Sequence, residues 1–498
     1  MPFIDGLLAA LTLTNLLFGL LGSILGTLVG VLPGIGPALA ISLLLPITLT
    51  VEPTAAIIMF AAVYYGAMFG GSTTSILLNA PGESGSVMTT IEGNKMARSG
   101  RAGAALATAA LGSFFAGAIA TALLAVGAPF IADLGLRLTP ADFFALMVLA
   151  LGTISAVMGS SVIRGLTSLS VGLAIGLVGL DLLTGTARLT FGSAYALDGI
   201  STVVVIVSLF AVGEALYVAF KGRFGDTQVI KFKGKAWMTK EDWSRSWKPW
   251  ARGTAIGFPL GVLPAGGSEL PTFLSYNLEK RMAGKKAKSE FGKGAIEGVA
   301  GPEAANNANA AGALVPLLAL GIPTSATAAV MLASFDQFNI QVGPTLFGSE
   351  STLVWTLIGA LFIGNFLLLL INLPLIGVWV KLLKIPAPYL YAGVLTLAML
   401  GAYAVSGNTF GMSIAIAVGI LGLLFRRYGY PITPLILGVV LGPMAELEMR
   451  RAVQISNGDF MTLIEKPFSV VVYALLILGI IGPKLWPLIK KRISTKTK

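Results

Sequence analysis

Four consecutive hydroxyls, Ser72-Thr73-Thr74-Ser75, sit in an apolar stretch, and three asparagines crowd into Asn306-Asn307-Ala308-Asn309 much further along the chain. A hydroxyl donates and accepts, and a carboxamide offers an acceptor oxygen beside two donors. Such groups can hold a carboxylate or ligate a hard cation without acid–base chemistry. A lone Ser or Thr in an apolar helix more often bonds back to its own carbonyls or lets helices approach. Here Gly70-Gly71 precede the hydroxyls, Asn79-Ala80-Pro81-Gly82 follows them, and Gly321-Ile322-Pro323-Thr324-Ser325 forms a similar break in the other half. Free N–H groups at a helix start attract an anion through unpaired donors and the helix dipole. Ser72, Thr73, Thr74, Asn79, Asn306, Asn307, Thr324 and Ser325 are therefore expected to contact a small anionic ligand.

A second signal is a repeated phrase. Gly30-Val31-Leu32-Pro33-Gly34-Ile35-Gly36-Pro37 recurs as Gly261-Val262-Leu263-Pro264-Ala265-Gly266-Gly267-Ser268, and each copy has a glycine four residues earlier, Gly26 and Gly257. Proline and clustered glycine belong in an apolar run only where a helix must stop. A duplicated, interrupted apolar segment marks a secondary transporter built from two repeats, whose broken helices form substrate and ion sites near the membrane midplane. Pro33, Gly34, Gly36, Gly70, Gly71, Pro264, Gly266, Gly267, Asn309 and Pro323 are expected to supply the breaks or the freed oxygens for a cation such as Na⁺. Glu303, Glu214 and Glu269 are acids in apolar surroundings, and Glu303 is open to salt-bridging, cation-coordinating or interfacial readings. No compact cluster of carboxylates is apparent in the chain order.

These residues need an apolar frame to position them. The chain has 498 residues, 55% hydrophobic and 11% charged, with a mean hydropathy of +0.85; soluble domains carry about 25% charged residues. Runs such as 353–380 approach or exceed the roughly 20 apolar residues that span a bilayer. The expectation is an all-α polytopic membrane protein of about a dozen or more segments, with broken helices or re-entrant hairpins. Cysteine and histidine are both absent, which excludes disulfides, zinc sites of the usual kind and Cys/Ser–His catalysis. The formal charge of +11 is distributed as orientation signals rather than as a nucleic-acid surface.

Residues 1–94 carry no Lys or Arg, whereas Lys95–Arg101, 221–252, Lys280–Lys293, Arg426-Arg427 and the C-terminal tail are basic. By the positive-inside rule these connections face the cytoplasm, which puts the N-terminus outside and the C-terminus inside. Spans are expected at 7–32, 102–132, 139–160, 162–180, 199–220, 351–380, 388–406, 407–425 and 468–489; 38–50, 311–321, 323–335 and 431–443 read as short or re-entrant. The loop around Glu52 is acidic where Lys280–Lys293 is basic, and the basic connection Lys95–Arg101 inverts the charge of 334–350, which holds Asp336 and Glu350 as its only charged residues. Equivalent loops on opposite sides imply inverted repeats, 1–220 and 251–498, joined by a linker at 221–250. Trp243, Trp247 and Trp250 fall on one helical face there, as in an interfacial helix at headgroup depth.

Gly26–Pro37, Tyr65–Gly82, the run Gly179-Leu180-Asp181 to Gly192, and Glu297–Ser325 resemble, in order and spacing, the large membrane subunit of the tripartite tricarboxylate transporters, the TctA-like family. The second copy departs from the first in reading Pro264-Ala265-Gly266-Gly267, so the two half-sites need not carry equivalent ligands. The resemblance implies a bacterial inner-membrane carrier, sodium-coupled, fed by an extracytoplasmic solute-binding protein (TctC-like) and accompanied by a small membrane subunit (TctB-like). It implies import of a small organic carboxylate such as a di- or tricarboxylate. No organic cofactor and no transition metal are expected, only Na⁺ as coupling ion, with proton coupling through Glu303 or Glu269 as the competitor. The chain lacks a G-x-x-x-x-G-K-[ST] phosphate loop, so ATP hydrolysis is not expected of it. A membrane-embedded enzyme such as a lipid-modifying transferase is the rival function, and a channel a weaker third.

Overall fold

The computed structural model describes residues 2–157, 161–181, 184–222, 230, 236–264, 267–383 and 385–479. Their secondary structure is almost entirely helical, with one antiparallel pair of two-residue strands, Gly179–Leu180 and Ala187–Arg188. Eight helical runs among them are long and apolar enough to cross a membrane, and four shorter apolar helices, Pro37–Thr50, Pro140–Thr153, Val162–Gly176 and Pro467–Gly479, accompany them. The chain folds as two compact units: Met1–Gly135 with Val203–Leu263 and Gly267–Leu424, and Leu136–Thr202 with Pro264–Gly266 and Phe425–Lys498.

The first unit holds two long buried helices. Pro53–Leu78 starts on Glu52, whose carboxylate accepts the Thr54 and Ala55 N–H groups at 3.0 and 2.9 Å. Partial burial opposes ionisation of Glu52, but those hydrogen bonds outweigh it and hold the carboxyl below its ordinary range. Glu297–Leu320 is the second, buried over almost its whole length. Each is paired with one helix that ends in the repeated phrase: Leu13–Val31 lies on the first and Lys240–Val262 on the second.

Small residues set how close these pairs come. A Cβ at Gly22, Gly26 or Gly30 would stand 2.4, 2.5 or 2.3 Å from the carbonyl oxygens of Met59, Val63 and Ala67. In the other pair, a Cβ at Gly253, Gly257 or Gly261 would meet those of Gly301, Ala305 and Asn309 at 2.2, 2.2 and 2.4 Å. Three glycines one turn apart thus let backbone lie directly on backbone, twice.

Several boundaries differ from the sequence reading. Residues 311–321 and 431–443 are not short re-entrant runs: they continue the 24-residue helices Glu297–Leu320 and Ile432–Ile455. Polar residues such as Asn306 and Glu446 lowered the local hydropathy there without stopping the helix. The boundary at 250/251 falls inside Lys240–Val262, which begins with a capping box between Thr239 and Asp242 and runs on into the glycine triplet. Trp243 and Trp247 are 38% and 53% exposed, as expected at an interface, but Trp250 is buried and lies over Gly112. Residues 223–229 and 231–235 of the linker lie outside the described residues.

In the second unit, Val162–Gly176 packs on Ile432–Ile455. The strands Gly179–Leu180 and Ala187–Arg188 pair antiparallel at the start of the Asp181–Gly192 motif. There Arg188 pairs with Glu446 at 2.7 Å, and Arg450 with Asp181 and Glu446 at 2.8 and 2.5 Å, on the wall of a cavity of ≈ 240 Å³.

Candidate functional site

Both long buried helices of the first unit stop in the same way. Leu78 is followed by Asn79 in the left-handed region (φ 57°), then Ala80 and Pro81; Leu320 is followed by Gly321 (φ 69°), then Ile322 and Pro323. A left-handed residue after the last turn ends a helix, and a proline two residues on prevents its resumption. Two residues after each proline a side chain caps the next segment. The Glu83 carboxylate accepts the Gly85 N–H at 2.7 Å, and the Ser325 hydroxyl accepts the Ala328 N–H at 3.2 Å.

This corrects the break expected at Gly70-Gly71. The helix runs straight through them to Leu78. Gly70 is a packing glycine: a Cβ there would stand 2.4 Å from the Thr27 carbonyl oxygen, as one at Gly312 would stand 2.3 Å from that of Phe258. Gly71 makes room for Glu83, whose Cγ would lie 2.9 Å from such a Cβ. The hydroxyls that follow are therefore mid-helix rather than at the start of a helix. Ser72 bonds back to the Phe69 carbonyl at 2.8 Å, Thr74 donates to the Val31 carbonyl, and Ser75 donates to the Ser86 carbonyl at 3.0 Å; Thr73 is buried beside them.

The repeated phrases do interrupt the chain. Leu13–Val31 stops before Pro33 and the chain restarts at Pro37, with Gly34 left-handed (φ 81°) between; Val262 ends its helix before Pro264, and the chain restarts at Glu269 after Gly267 (φ 97°). Gly36 lies in the first of these turns, and Gly266 lies outside the described residues. The freed carbonyls are already engaged. Gly82 packs on the Gly30 oxygen, 2.0 Å from where its Cβ would stand, and Thr324 donates to the Gly261 oxygen at 3.0 Å. Asn309 is buried where Gly261 crosses it, its own backbone carbonyl facing that glycine.

The two tips then cross over to the opposite long helix. Asn306, in Glu297–Leu320, donates through Nδ2 to Glu83 Oε1 at 2.8 Å. Tyr64, in Pro53–Leu78, lies near Ser325. The glycine contacts pair Val63 with Ala305 and Ala67 with Asn309, and that register carries Tyr64 to Asn306 and Glu83 to Ser325. Each tip thus lies against the opposite long helix at positions that this register pairs.

Three acids lie in this part of the unit. Glu83 interacts electrostatically with Glu269, which starts the helix after the second phrase, and with Glu303, one turn before Asn306 and Asn307. Thr89 donates to Glu303 Oε1, while Glu303 Oε2, Glu269 Oε2 and Asn306 Oδ1 are buried without a hydrogen-bond partner. Asn307 is spent on structure, donating to Ser113 Oγ at 2.6 Å and the Glu303 carbonyl at 3.0 Å. The chain order had given no carboxylate cluster because these acids come from three separate segments. Glu83 was missed altogether, although a Glu inside Gly82–Ser86, next to an apolar helix, is itself a signal. Other buried acids are fully satisfied. Glu92 accepts from Tyr276, Gly292, Gly294 and Ala295, and Glu279 is paired with Arg252.

A family model described as the tripartite tricarboxylate transporter TctA family matches residues 16–437. An uncharacterized 52.8 kDa protein in the TAR-I ttuC' 3'region of Agrobacterium vitis is 45% identical over 424 residues, which is 85% of this chain and 84% of that protein. An uncharacterized protein in the TAR-II ttuC' 3'region of the same organism is 45% identical over 213 residues, covering 43% of this chain and 87% of the relative. No solved structure matches.

Proposed function

The chain belongs to the tripartite tricarboxylate transporter TctA family, a family of transporters rather than enzymes, and from that premise we propose that it is the large permease subunit of a binding-protein-dependent carrier that imports a small organic carboxylate with Na⁺. It is a multi-pass membrane protein of a transporter with further subunits, which we take to be a small TctB-like membrane subunit and an extracytoplasmic TctC-like solute-binding protein in a bacterial inner membrane. The two crossed tips, Glu83 bonded to Asn306 and Ser325 lying near Tyr64, carry the reading. Two helix breaks that each cross to the opposite half are how inverted-repeat carriers build one site from two halves. The glycine triplets, the paired Asn79 and Gly321 terminators and the Gly30 and Gly261 carbonyl contacts support the same correspondence.

Of the expected ligand-contacting set, Asn306, Thr324 and Ser325 lie at these crossed tips, with Asn79 one turn back. Ser72 and Thr74 are engaged within their own half. Neutral amides and hydroxyls beside buried acids suit an anionic substrate only when a cation accompanies it, so each should favour binding of the other. Vesicles holding the carrier, its small subunit and the loaded binding protein test this. Uptake is expected to follow an imposed Na⁺ gradient and to persist when the pH gradient is collapsed. Uptake driven by a pH gradient alone in Na⁺-free buffer would mean the wrong ion.

Inversion has its own test. Exposed Thr50, Ser99, Lys285 and Ser349 can be replaced singly by cysteine in a chain that has none. An impermeant maleimide added outside intact cells should label positions 50 and 349 and spare 99 and 285. Labelling of 99 and 349 to the same extent would rule out opposite orientation of the two halves.

A further inference from the structure

In the second unit, Val162–Gly176 lies backbone on backbone against Ile432–Ile455. A Cβ at Gly172 or Gly176 would stand 2.0 or 2.7 Å from the carbonyl oxygens of Leu435 and Val439. The first helix stops at Gly176, whereas the second continues well past that contact. The strand pair Gly179–Leu180 with Ala187–Arg188 follows the stop. The cavity of ≈ 240 Å³ opens between these strands and the continuing helix, with Leu180, Arg188, Asp198, Ile200, Glu446 and Arg450 in its wall.

The charges in that wall are only partly spent. Arg188 lies 2.7 Å from Glu446 and 3.5 Å from Asp181, and Arg450 lies 2.8 Å from Asp181 and 2.5 Å from Glu446. Two guanidiniums and two carboxylates thus balance. Arg188 makes its hydrogen bonds to Glu446 through Nη1 alone, and its Nε is buried without a partner. A buried donor on a cation is costly to leave unpaired. Asp198 enters none of the ion pairs among the described residues. The backbone is strained directly after Arg188. Leu189 and Phe191 hold left-handed φ angles of 51° and 49°, a conformation that bulky side chains avoid and that gathers at ligand sites.

We propose that this cavity is a binding site for a small hydroxycarboxylate, with Arg188 receiving its carboxylate and Asp198 accepting from its hydroxyl. A guanidinium edge with N–H groups to spare matches the planar pair of oxygens on a carboxylate. A bare anion, however, would meet the carboxylates of Asp181, Asp198 and Glu446 in the same wall. A hydroxyl beside the ligand's carboxylate turns that neighbourhood to advantage, because it donates to a carboxylate oxygen. The size agrees: ≈ 240 Å³ falls below the range of about 300–1,000 Å³ that larger ligands occupy, and suits an acid of a few carbons. That this ligand is the transported acid rests on the carboxylate-import reading, whereas its binding here does not.

The chain holds no cysteine, so one can be placed in the wall. Ile200→Cys, with Leu180→Cys as a second position, is labelled with a maleimide in the purified carrier against increasing 2-hydroxysuccinate. Ile455→Cys, 74% exposed and away from the cavity wall, is the control. Labelling at 200 and 180 is expected to slow and to saturate with the acid, and labelling at 455 to stay unchanged. Succinate, which lacks the hydroxyl, should need about tenfold more for the same protection. So should 2-hydroxysuccinate in Arg188→Lys, which keeps a charge facing Glu446 but loses the guanidinium edge. If Arg188→Lys fails to fold, Asp198→Asn at an exposed position decides instead, by abolishing the preference for 2-hydroxysuccinate over succinate. No protection at either position, at concentrations that saturate vesicle uptake, would overturn the site and leave the import reading standing. Equal protection by the two acids would overturn the assignment to a hydroxycarboxylate. Protection without any carboxylate uptake would keep the site and remove the import reading.

Discussion

Replacing Asn306 by alanine is expected to cut carboxylate uptake at limiting substrate by about five- to 150-fold, the equivalent of roughly 1–3 kcal/mol for a buried charged acceptor left without its donor. Asn306 Nδ2 holds Glu83 Oε1 at 2.8 Å, and both residues are almost wholly buried, so no solvent replaces the lost bond. The damage should fall on Glu83 and on the tip that carries it. Tyr64→Phe removes only a neutral hydroxyl near Ser325, and a neutral hydroxyl contributes at most about 1.5 kcal/mol, so its uptake should fall by roughly tenfold at most. The order matters more than either value. Initial rates of labelled-substrate uptake in vesicles, normalised to protein inserted, measure it. Wild-type rates in Asn306→Ala, or a larger loss in Tyr64→Phe, would show that the tips do not carry the site.

The largest stability effect should come from Arg252. Its guanidinium makes a two-pronged pair with Glu279, Nε to Oε1 at 2.8 Å and Nη2 to Oε2, and it joins Lys240–Val262 to Glu269–Met282. The Glu279 side chain is 1% exposed and that of Arg252 is 28% exposed. Arg252→Met keeps most of the stem's apolar packing but leaves a carboxylate buried without a counter-charge. Loss of one partner from such a pair costs about 3 kcal/mol, somewhat discounted here because Arg252 is partly solvated. Melting of the detergent-solubilised protein should drop by several degrees at neutral pH. Arg252→Met combined with Glu279→Leu removes both charges and should recover most of the loss. A double variant less stable than the single one would mean that Arg252 acts through packing rather than through its charge.

The crossing of the tips explains why some of the site was readable and some was not. Asn306, Thr324 and Ser325 stood out because amides and hydroxyls in an apolar run need a local reason, and here that reason is a helix end or a partner across the core. Ser72 and Thr74 carried the same local signal, yet they bond to Phe69 and Val31. Composition cannot tell a hydroxyl that faces a ligand from one that ties a helix to its neighbour. Gly70-Gly71 show the same ambiguity. Two adjacent glycines can end a helix or let another backbone lie on it, and only the position of Thr27 and Glu83 decides.

The sequence by itself determined what depends on residues near one another in the chain. The apolar content made helices the main way to satisfy the backbone, as a hydrocarbon solvent demands. Pro33 and Pro264 ended two helices, since proline cannot continue an N–H ladder, and the duplicated phrase revealed that this happens twice. The tertiary structure decided everything that depends on distance across the fold: which glycines carry backbone contacts, which carbonyls freed by the breaks are already occupied, and that Glu83, Glu269 and Glu303 come into one region. Those acids lie on three segments, and local pattern carries no information about segments that come together only when the long helices are packed. Glu83 gained its meaning from Asn306, 2.8 Å away in space and most of half the chain away in sequence, because burial and pairing, not residue type, turn a carboxylate into a site.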